Sequence, residues 1–334
     1  MKIGKVSQTV LKRSVQKQLH YRREESVMEP SIEEMCGGIK VGESDNVLVT
    51  GTCLYGNQKE LGVFALAKVA NDLATRGAEI VGAGVTILLP PHAYESRLKA
   101  MTEALERAGS AHAIQLFYVK VEVSPVIESA IISVTGVGLQ KKGTVVKSIL
   151  AQPSQDIVLV KWIGLEGTMR ILLEKEEELS KRFIPAFLNP IKAWEEVLFS
   201  QKEIQMAEQM GASAMQQIGD GGIFAALWEI AEASKVGLEV ELKQMSIRQE
   251  TVEICEYYHL NPYQLTSTGS ILVVTDQGKE LVKEYEKQGI CGMVLGKITD
   301  QKERIISGGG EKRYLDRPAV DELVKIYQTE ENEA

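Results

Sequence analysis

The chain has 334 residues, of which 25% are charged, and its 46 acidic and 38 basic side chains give a formal net charge of −8. This length favours two domains. The acidic balance argues against a general nucleic-acid binder, whose affinity depends on a cationic surface. No apolar run reaches the ~18 residues that a membrane-spanning helix needs, so neither nucleic acid nor a membrane is a predicted partner.

The first half of the chain alternates helical and strand patterns. Leu11, Val15 and Leu19 lie at i, i+4 and i+8, which favours a docked amphipathic helix over a targeting peptide. The patterns that follow predict a helix over 57–76, a strand over 79–90, a helix over 93–109 and strands over 114–123 and 129–138.

The alternation restarts after Pro153-Ser154, where we place a boundary between domains 1–152 and 153–334. The predicted elements of the second domain are a strand at 156–164, helices at 168–183, 203–217 and 223–234, a strand at 238–242, a helix at 248–258, a strand at 270–275, a helix at 278–289, a strand at 292–298 and a hairpin at 303–315. The sequence therefore predicts a mixed α/β protein in two lobes.

The four cysteines contain no C-x-x-C pair, and the chain has four histidines. This spacing disfavours a zinc site, and the length disfavours a disulfide framework. We therefore expect reduced, mostly buried thiols in a cytoplasmic protein.

An unusual polar pair, Asn71 and Asp72, interrupts the apolar helix in the stretch VANDLATRGAE. Asp72 follows Val69 by three residues, which places it on the apolar stripe of the helix. A carboxylate on the core side must be hydrogen-bonded, paired or bound to a cation, because burying an unpaired charge is costly. The spacing leaves two interpretations open, a structural tie between elements and a binding site.

A second candidate is the stretch IGDGG, which opens the predicted helix at 223–234. Free backbone N–H groups and two glycines, Gly221 and Gly222, at a helix N-terminus can hold phosphate. The simpler interpretation is a glycine turn with Asp220 as the helix cap. The stretch GAGVTILLP is not a dinucleotide fingerprint, because the third glycine is missing and a strand follows.

Several stretches together resemble the aminoimidazole ribonucleotide (AIR) synthase superfamily: VANDLATRGAE, GVTILLPP, DIVLVKWIGLEGT, GGIFAALWEIAEASKVGLEVEL, LTSTGSILVVT and RPAVDEL. The similarity covers nearly the whole chain and is strongest to the AIR synthase-related, HypE-like branch of hydrogenase-maturation factors. It implies an α/β (α+β) PurM-like fold of two domains. It also implies a homodimer in which the N-terminal domains pair their sheets into a β-barrel-like core.

In active members of the superfamily, ATP phosphates bind through magnesium held by acidic residues. The resemblance therefore implies a Mg-ATP site whose candidate metal ligands are Asp72 and Glu122. The full set of candidate nucleotide contacts is Asn71, Asp72, Glu34, Glu122, Asp220, Gly221, Gly222 and Lys161. The resemblance identifies no catalytic residue.

The chain departs from the family pattern at four motifs. Glu34 survives from a glycine-rich G-E-D stretch, but Met35 stands at its aspartate position. Thr52 replaces the aspartate of a T-D-P turn, Glu122 alone survives from G-G-H-T-E, and Gln217 replaces the aspartate of D-x-T-E-G-G. Each lost carboxylate removes charge and a coordination position from a cation site. The Mg-ATP site is therefore expected to be weakened or lost.

Two functions follow from this pattern. The favoured hypothesis is a non-catalytic binding or regulatory homologue that keeps the fold and the dimer. It would hold a small-molecule or nucleotide ligand in the inter-sheet cleft, made more apolar by Tyr118 and Met35. The alternative is a working ATP-dependent enzyme that transfers a phosphoryl group to an amide or carboxylate-type oxygen through a reduced metal site. Thiocarbamate chemistry is not predicted, because the last cysteine, Cys291, lies in a predicted strand.

Overall fold

The structure is a computed structural model that describes residues 1–31, 36–43, 45–141 and 150–328. The chain divides into two compact units, Met1–Val145 and Val146–Ala334. The domain boundary between residues 152 and 153 stays a prediction. Among the described residues, no helix has both the length and the apolar character needed to cross a membrane.

The first unit is built on one mixed sheet with the strand order β1-β4-β3-β5-β2, in which β3 and β4 are parallel and the other neighbours antiparallel. Its strands are β1 (Gly4–Lys5), β2 (Asp45–Gly56), β3 (Glu79–Leu89), β4 (Gln115–Val123) and β5 (Ala130–Lys141). Its helices are α1 (Gln8–Ser14), α2 (Leu61–Ala74) and α3 (Glu95–Ala111).

Helix α2 packs closely on one face of this sheet. Val69 and Leu73 lie against Gly136 and Gly138 of β5, where an added Cβ would meet their side chains at 3.0 and 3.3 Å. The two glycines therefore let the helix approach the strand, and the apolar stripe of α2 becomes the core of the unit.

The opposite face of the sheet is open in the single chain. Val47, Val49 and Tyr55 of β2 alternate along the strand with inward-facing residues, and their side chains are 45%, 63% and 39% exposed. Such alternation is typical of an antiparallel sheet with one covered face. Here, however, the uncovered face carries these apolar side chains of β2 beside exposed polar ones such as Lys120 and Glu122 of β4.

The predicted N-terminal amphipathic helix is confirmed in a shorter form. Helix α1 ends at Ser14, and a 3₁₀ turn follows at Gln16–Gln18. Leu11, Val15 and Leu19 are all buried, as their spacing predicts. Glu106 of α3 accepts hydrogen bonds from the backbone just after this turn, which fixes the segment to the unit.

The second unit contains a seven-stranded sheet with the order β12-β11-β8-β10-β6-β9-β7, in which only the β8–β11 pair is parallel. The strands are β6 (Asp156–Val160), β7 (Ala214–Gln217), β8 (Gly237–Glu241), β9 (Ile271–Thr275), β10 (Gly292–Thr299), β11 (Arg304–Gly308) and β12 (Glu311–Tyr314). The helices are α4 (Leu165–Glu174), α5 (Glu176–Arg182), α6 (Pro185–Lys192), α7 (Gln201–Gln209), α8 (Gly222–Ser234), α9 (Gln249–Tyr257) and α10 (Gly278–Lys287).

Some element boundaries differ from the sequence prediction. The helix predicted over 203–217 ends at Gln209, and Ala214–Gln217 instead forms β7, which pairs with β9. The helix predicted over 168–183 is two helices, α4 and α5. Thr52, which the family pattern places in a turn, lies inside β2 opposite Val134. In these places sheet pairing and packing override the local pattern.

We predict that Gly84→Ala destabilises the first unit. Tyr118 of β4 covers Gly84, and an added Cβ would lie 2.5 Å from the Tyr118 hydroxyl oxygen. Overpacking of this kind costs about 1–3 kcal/mol in the free energy of unfolding, which denaturant titration measures. Gly51→Ala is the matched control, since its Cβ would meet no heavy atom closer than 3.4 Å. Equal stability of the two variants would contradict this account of the packing.

Candidate functional site

The polar pair on α2 divides between the core and the edge of the first unit. Asn71 is fully buried, whereas Asp72 is half-buried, so the residue that faces the core is the asparagine and not the aspartate as expected. Burial lowers the pKa of Arg76, and the charge of Asp72, one helical turn earlier, opposes this shift. Asp72 therefore has a cationic neighbour in the turn that follows its helix, which supports the structural interpretation of this carboxylate.

The end of α2 is tied to the sheet by side-chain amides. Gln140 of β5 donates from Nε2 to the backbone oxygen of Arg76 at 2.7 Å. Asn46 of β2 donates from Nδ2 to Oε1 of Gln140 at 3.1 Å. Asp72 thus lies next to a polar network that joins α2, β5 and β2.

Glu122 lies far from Asp72 in the same chain. It is exposed near the end of β4, in register with Leu88 of β3, which in turn pairs with Ile131 of β5. Leu73, the neighbour of Asp72, packs on Gly138, seven residues further along β5. Seven strand residues span roughly 23 Å at about 3.3 Å per residue.

The two carboxylates also belong to opposite faces of the sheet. Val119 and Val121 of β4 are buried, and the exposed Glu122 alternates with them, on the side away from α2. One chain therefore does not bring the candidate metal ligands Asp72 and Glu122 together. Glu34 lies outside the described residues. Within the described ranges, no group of three or more His, Cys, Asp or Glu side chains is placed to hold a metal ion.

A pocket of about 370 Å³ opens on the uncovered face of the first unit. Its floor is the sheet, and its wall is the segment from Cys36 to Ile39, which follows the position of the family's glycine-rich stretch. The lining residues are Cys36, Gly37, Gly38, Ile39, Gly84, Phe117, Tyr118, Thr135 and Val137. None of them is charged.

The aromatic part of this pocket depends on glycines. Phe117 lies at the register shift in the β3–β4 pairing. Its side chain packs between Gly37 and Gly82, and an added Cβ on either glycine would lie 2.5 Å from it. The glycines of GAGVTILLP thus accommodate aromatic rings. Tyr118 and Phe117 make this part of the molecule apolar. The inter-sheet cleft stays a prediction, and Met35 lies outside the described residues.

In the second unit, the start of α8 is already engaged by a carboxylate. The backbone N–H of Gly221 donates to Oδ2 of Asp321 at 2.7 Å. Gly221, with φ of +80°, occupies the cap position of α8, and Asp220 is an exposed residue directly before it. The prediction of Asp220 as the helix cap is therefore corrected, since a residue distant in sequence supplies the negative charge that favours a helix N-terminus.

The side chain of Lys161 is buried inside the second unit, and its ammonium group has partners there. It has φ of +68° and follows β6 directly. Its ammonium group donates to the backbone oxygen of Val197 at 2.6 Å and to Oγ of Ser200 at 2.7 Å, and it lies 3.1 Å from Glu203. Burial lowers the pKa of Lys161, and Glu203 opposes this shift. The arrangement is that of a structural ion pair.

The sequence analysis missed a buried ion pair in α4. Glu166 accepts from Arg170 at 3.1 Å and from Oγ1 of Thr266 at 2.9 Å, and both charged side chains are almost fully buried. The signal was the i, i+4 spacing of opposite charges in an apolar helix. A buried charge needs such a partner, so the pair holds the LTSTGS loop against α4.

The four cysteines are free, but they are not mostly buried as expected. Cys36 and Cys53 are exposed in the first unit, and Cys291 is half-buried just before β10 rather than inside it. Burial raises the pKa of Cys255 to about 12, so that thiol is unreactive at neutral pH.

We predict that Lys161→Met destabilises the second unit strongly. Removing one partner of a buried pair leaves an uncompensated charge, here Glu203, at a cost of roughly 3–5 kcal/mol in the free energy of unfolding. The control is Lys297→Met, because Lys297 pairs with Asp156 at 2.8 Å but is 62% exposed. Exposed pairs contribute about 0–1 kcal/mol. If the two variants lost the same amount of stability, the buried pair of Lys161 and Glu203 would contribute no more than an exposed pair, and the prediction would be contradicted.

Comparison with known proteins agrees with this architecture. Residues 152–308 match the family described as AIR synthase related protein, C-terminal domain. The hydrogenase expression/formation protein of Methanocaldococcus jannaschii is 24% identical over 80% of this chain and 79% of the relative. The carbamoyl dehydratase HypE of Rhodobacter capsulatus is 22% identical over 85% of this chain and 83% of the relative.

Solved structures show the same fold at low identity. The crystal structure of E. coli HypE, a hydrogenase maturation protein, superposes with a TM-score of 0.72 at 17% identity over 85% of this chain and 89% of that one. HypE in complex with ATP gives a TM-score of 0.71 at 14% identity over 86% of this chain and 89% of that one. The chain therefore has the PurM-like fold, its residues 152–308 match the AIR synthase related C-terminal domain, and most of its length is similar in sequence to the HypE-like branch of that superfamily.

Proposed function

We propose that this protein is a non-catalytic binding or regulatory homologue in the HypE-like branch, with an eroded Mg-ATP site. The observation that carries the proposal is the pocket beside the segment Cys36–Ile39, in which none of the lining residues that the structure describes is charged. A triphosphate needs cations or many oriented donors to offset its charge, and this lining offers no cationic side chain and few side-chain donors.

The positions that the family pattern retains support the same conclusion. Asp72 has Arg76 beside it, Lys161 is shared among Glu203, Ser200 and a backbone oxygen, and the N–H of Gly221 is bonded to Asp321. Each group is therefore engaged within the fold. A cation or phosphate would have to displace an internal partner before it could bind.

The chemistry of the pocket indicates the class of ligand. Phe117, Tyr118, Ile39 and Val137 present apolar surface, while the hydroxyl groups of Tyr118 and Thr135 can fix the orientation of a polar substituent. An uncharged or weakly polar small molecule with an aromatic or aliphatic body fits this lining. A cytoplasmic location, as its reduced thiols suggest, belongs to the same proposal.

The open sheet face supports a homodimer. Val47, Val49 and Tyr55 of β2 expose apolar side chains, and a second copy placed on them would remove that surface from water. This arrangement corresponds to the paired sheets implied by the family. In the dimer, the pocket on the same face would lie next to the partner's sheet.

The proposal predicts that millimolar ATP and magnesium leave the thermal midpoint of the wild-type protein unchanged. Ligand at about 100 times its dissociation constant would stabilise by about 2.7 kcal/mol, which a thermal melt resolves. A purified ATP-binding HypE is the positive control for the assay. The variants are Asp72→Asn and, as a matched exposed carboxylate, Glu103→Gln.

A magnesium-dependent rise that Asp72→Asn abolishes and Glu103→Gln retains would overturn the proposal. That result would identify a working nucleotide site and favour the ATP-dependent enzyme that transfers a phosphoryl group. The structural similarity to ATP-bound HypE is the observation that keeps this second function in view.

The dimer is tested separately by light scattering coupled to size exclusion. We expect the wild-type protein to have twice the chain mass of 36.8 kDa. Val49→Lys places a charge at the centre of the proposed interface and should shift the protein to the monomer. Val126→Lys, at an 86% exposed position outside β2, should leave the dimer intact. A monomeric wild type, or a dimeric Val49→Lys variant, would contradict this interface.

A further inference from the structure

A row of aromatic rings lies on the surface of the second unit, where the ends of α5 and α9 meet the start of α6. The rings of Phe183 and Phe187 are stacked, with centroids 4.7 Å apart and planes 17° from parallel. The ring of Tyr257 meets that of Phe183 edge to face, with centroids 6.2 Å apart and planes at 76°. We call Phe183, Phe187 and Tyr257 the aromatic row. Stacked and edge-to-face pairs attract beyond their burial, so these contacts hold the three rings together.

The aromatic row is only partly covered by the rest of the unit. Tyr257 is 39% exposed, Phe183 and Phe187 are half-buried, and Ile184 is 69% exposed. Phe183 follows α5 directly, and Ile184 precedes Pro185, the first residue of α6. The residue before a helix is commonly a small polar one, so this turn has no need of a large apolar side chain. Packing within the unit therefore does not account for Ile184.

A contiguous group of exposed apolar and aromatic side chains is typical of a binding surface. Apolar residues that are exposed singly are ordinary, whereas a group of them indicates an interaction site. Aromatic residues and arginine are also enriched among the residues that dominate the binding energy of protein interfaces, and Arg182 stands beside the row. The aromatic row with Ile184 therefore has the composition of a surface that binds a protein.

The carboxylates beside the row indicate the charge of the partner. Glu250, Glu253 and Tyr257 follow one another at i, i+3 and i+7, so they share one face of α9. Glu178 of α5 accepts a hydrogen bond from the Tyr257 hydroxyl. Helix α9 contains no lysine or arginine, and in the part of the chain that the structure describes neither Glu250 nor Glu253 forms an ion pair. This side of the surface is therefore negative and repels phosphate groups, which argues against nucleic acid as the partner.

The row already contacts a cation of its own chain. The guanidinium carbon of Arg182 lies 6.0 Å from the centroid of the Phe183 ring, within reach of a cation–π interaction. Among the described residues, no cation lies over the ring of Phe187 or of Tyr257. A further cation beside these two rings is favourable, and the carboxylates of α9 add to its attraction.

The size of the surface distinguishes a short segment from a second copy of the chain. A stable interface between folded proteins buries about 800 Å² on each partner and involves roughly 20–30 residues a side. The aromatic row and Ile184 are four side chains on one turn and the helices beside it. A surface of this extent fits a short segment of a partner better than a folded domain.

We propose that the aromatic row, together with Ile184, docks a short basic amphipathic segment of a partner protein. Apolar side chains of the segment pack on the rings and on Ile184, and its lysines or arginines lie against Glu250 and Glu253. All of these residues belong to the second unit. The proposal therefore goes beyond the proposed function and depends neither on the pocket of the first unit nor on the dimer.

Binding of three labelled peptides to the full chain tests this surface by fluorescence anisotropy. Each peptide has about 15 residues, enough to form a helix. The first has leucine at i, i+3 and i+4 and lysine elsewhere, the second has serine in place of leucine, and the third has glutamate in place of lysine. We expect the first peptide to bind at least about tenfold more tightly than either of the others, because apolar contact and charge both contribute.

Two variants with matched controls locate the binding. Ile184→Ser and Glu253→Lys should each weaken binding of the first peptide by about tenfold. The control for the first is Val126→Ser, at an 86% exposed apolar position, and the control for the second is Glu103→Lys, the same charge reversal at an exposed carboxylate of the first unit. Both controls should bind the peptide as the wild type does. Thermal melts of all four variants verify that they are folded.

Hydrogen exchange of the wild-type protein with the first peptide gives a second readout. Amides within residues 178–187 and 250–257 should exchange more slowly when the peptide is bound. Equal binding of the leucine and serine peptides would indicate a general attraction to an acidic protein and would overturn the proposal. Absence of binding by the first peptide, tighter binding of the acidic peptide, equal effects of Glu253→Lys and Glu103→Lys, or slowed exchange only elsewhere would overturn it as well.

Discussion

A charge withdrawn from water must find a partner, and this constraint organises the second unit of the chain. Lys161 with Glu203, and Glu166 with Arg170, are pairs in which both members are nearly inaccessible to solvent. Desolvation of each ion is costly, so these pairs add specificity to the fold more than net stability. The pairs also hold loops in place: Ser200 joins the lysine to the backbone of Gly269, and Thr266 joins Glu166 to the loop before β9.

The same constraint accounts for the state of the candidate site. In a magnesium–nucleotide site, acidic residues are left without internal partners so that a cation can bring them together. Here Asp72, Lys161 and the N–H of Gly221 have partners within the same chain. The pocket on the open sheet face is lined by the aromatic side chains of Phe117 and Tyr118. Under the proposed function, fold and site have separated: the PurM-like packing is present, whereas a charge arrangement suited to Mg-ATP is not.

Elements with a strong hydrophobic periodicity were predicted correctly from the sequence. Elements that form only through contacts with distant parts of the chain were not. Leu11, Val15 and Leu19 are buried as their spacing requires, and β3 matches its predicted bounds almost completely. By contrast, β7 forms because β9 offers it an edge, a long-range pairing that a local helical pattern does not reveal.

The candidate site was predictable in its residues but not in its geometry. Local spacing placed Asp72 on the core side of α2, yet the rotation of the helix set by Gly136 and Gly138 buries Asn71 instead. The cap of α8 comes from Asp321, about a hundred residues further along the chain. Spacing within one element carries no information about either effect. The family resemblance named Glu122 and Asp72 together, and only the strand register shows how far apart they lie.

Strand β2 has a consequence for how the protein behaves in concentrated solution. It is a twelve-residue strand at the edge of its sheet, and it pairs with β5 along its whole length. Its sequence, DNVLVTGTCLYG, contains no lysine and no proline, the residues that commonly protect an exposed edge from pairing with another chain. A single chain therefore presents an edge strand without these protecting residues, and such an edge favours pairing with a strand of another chain at high concentration.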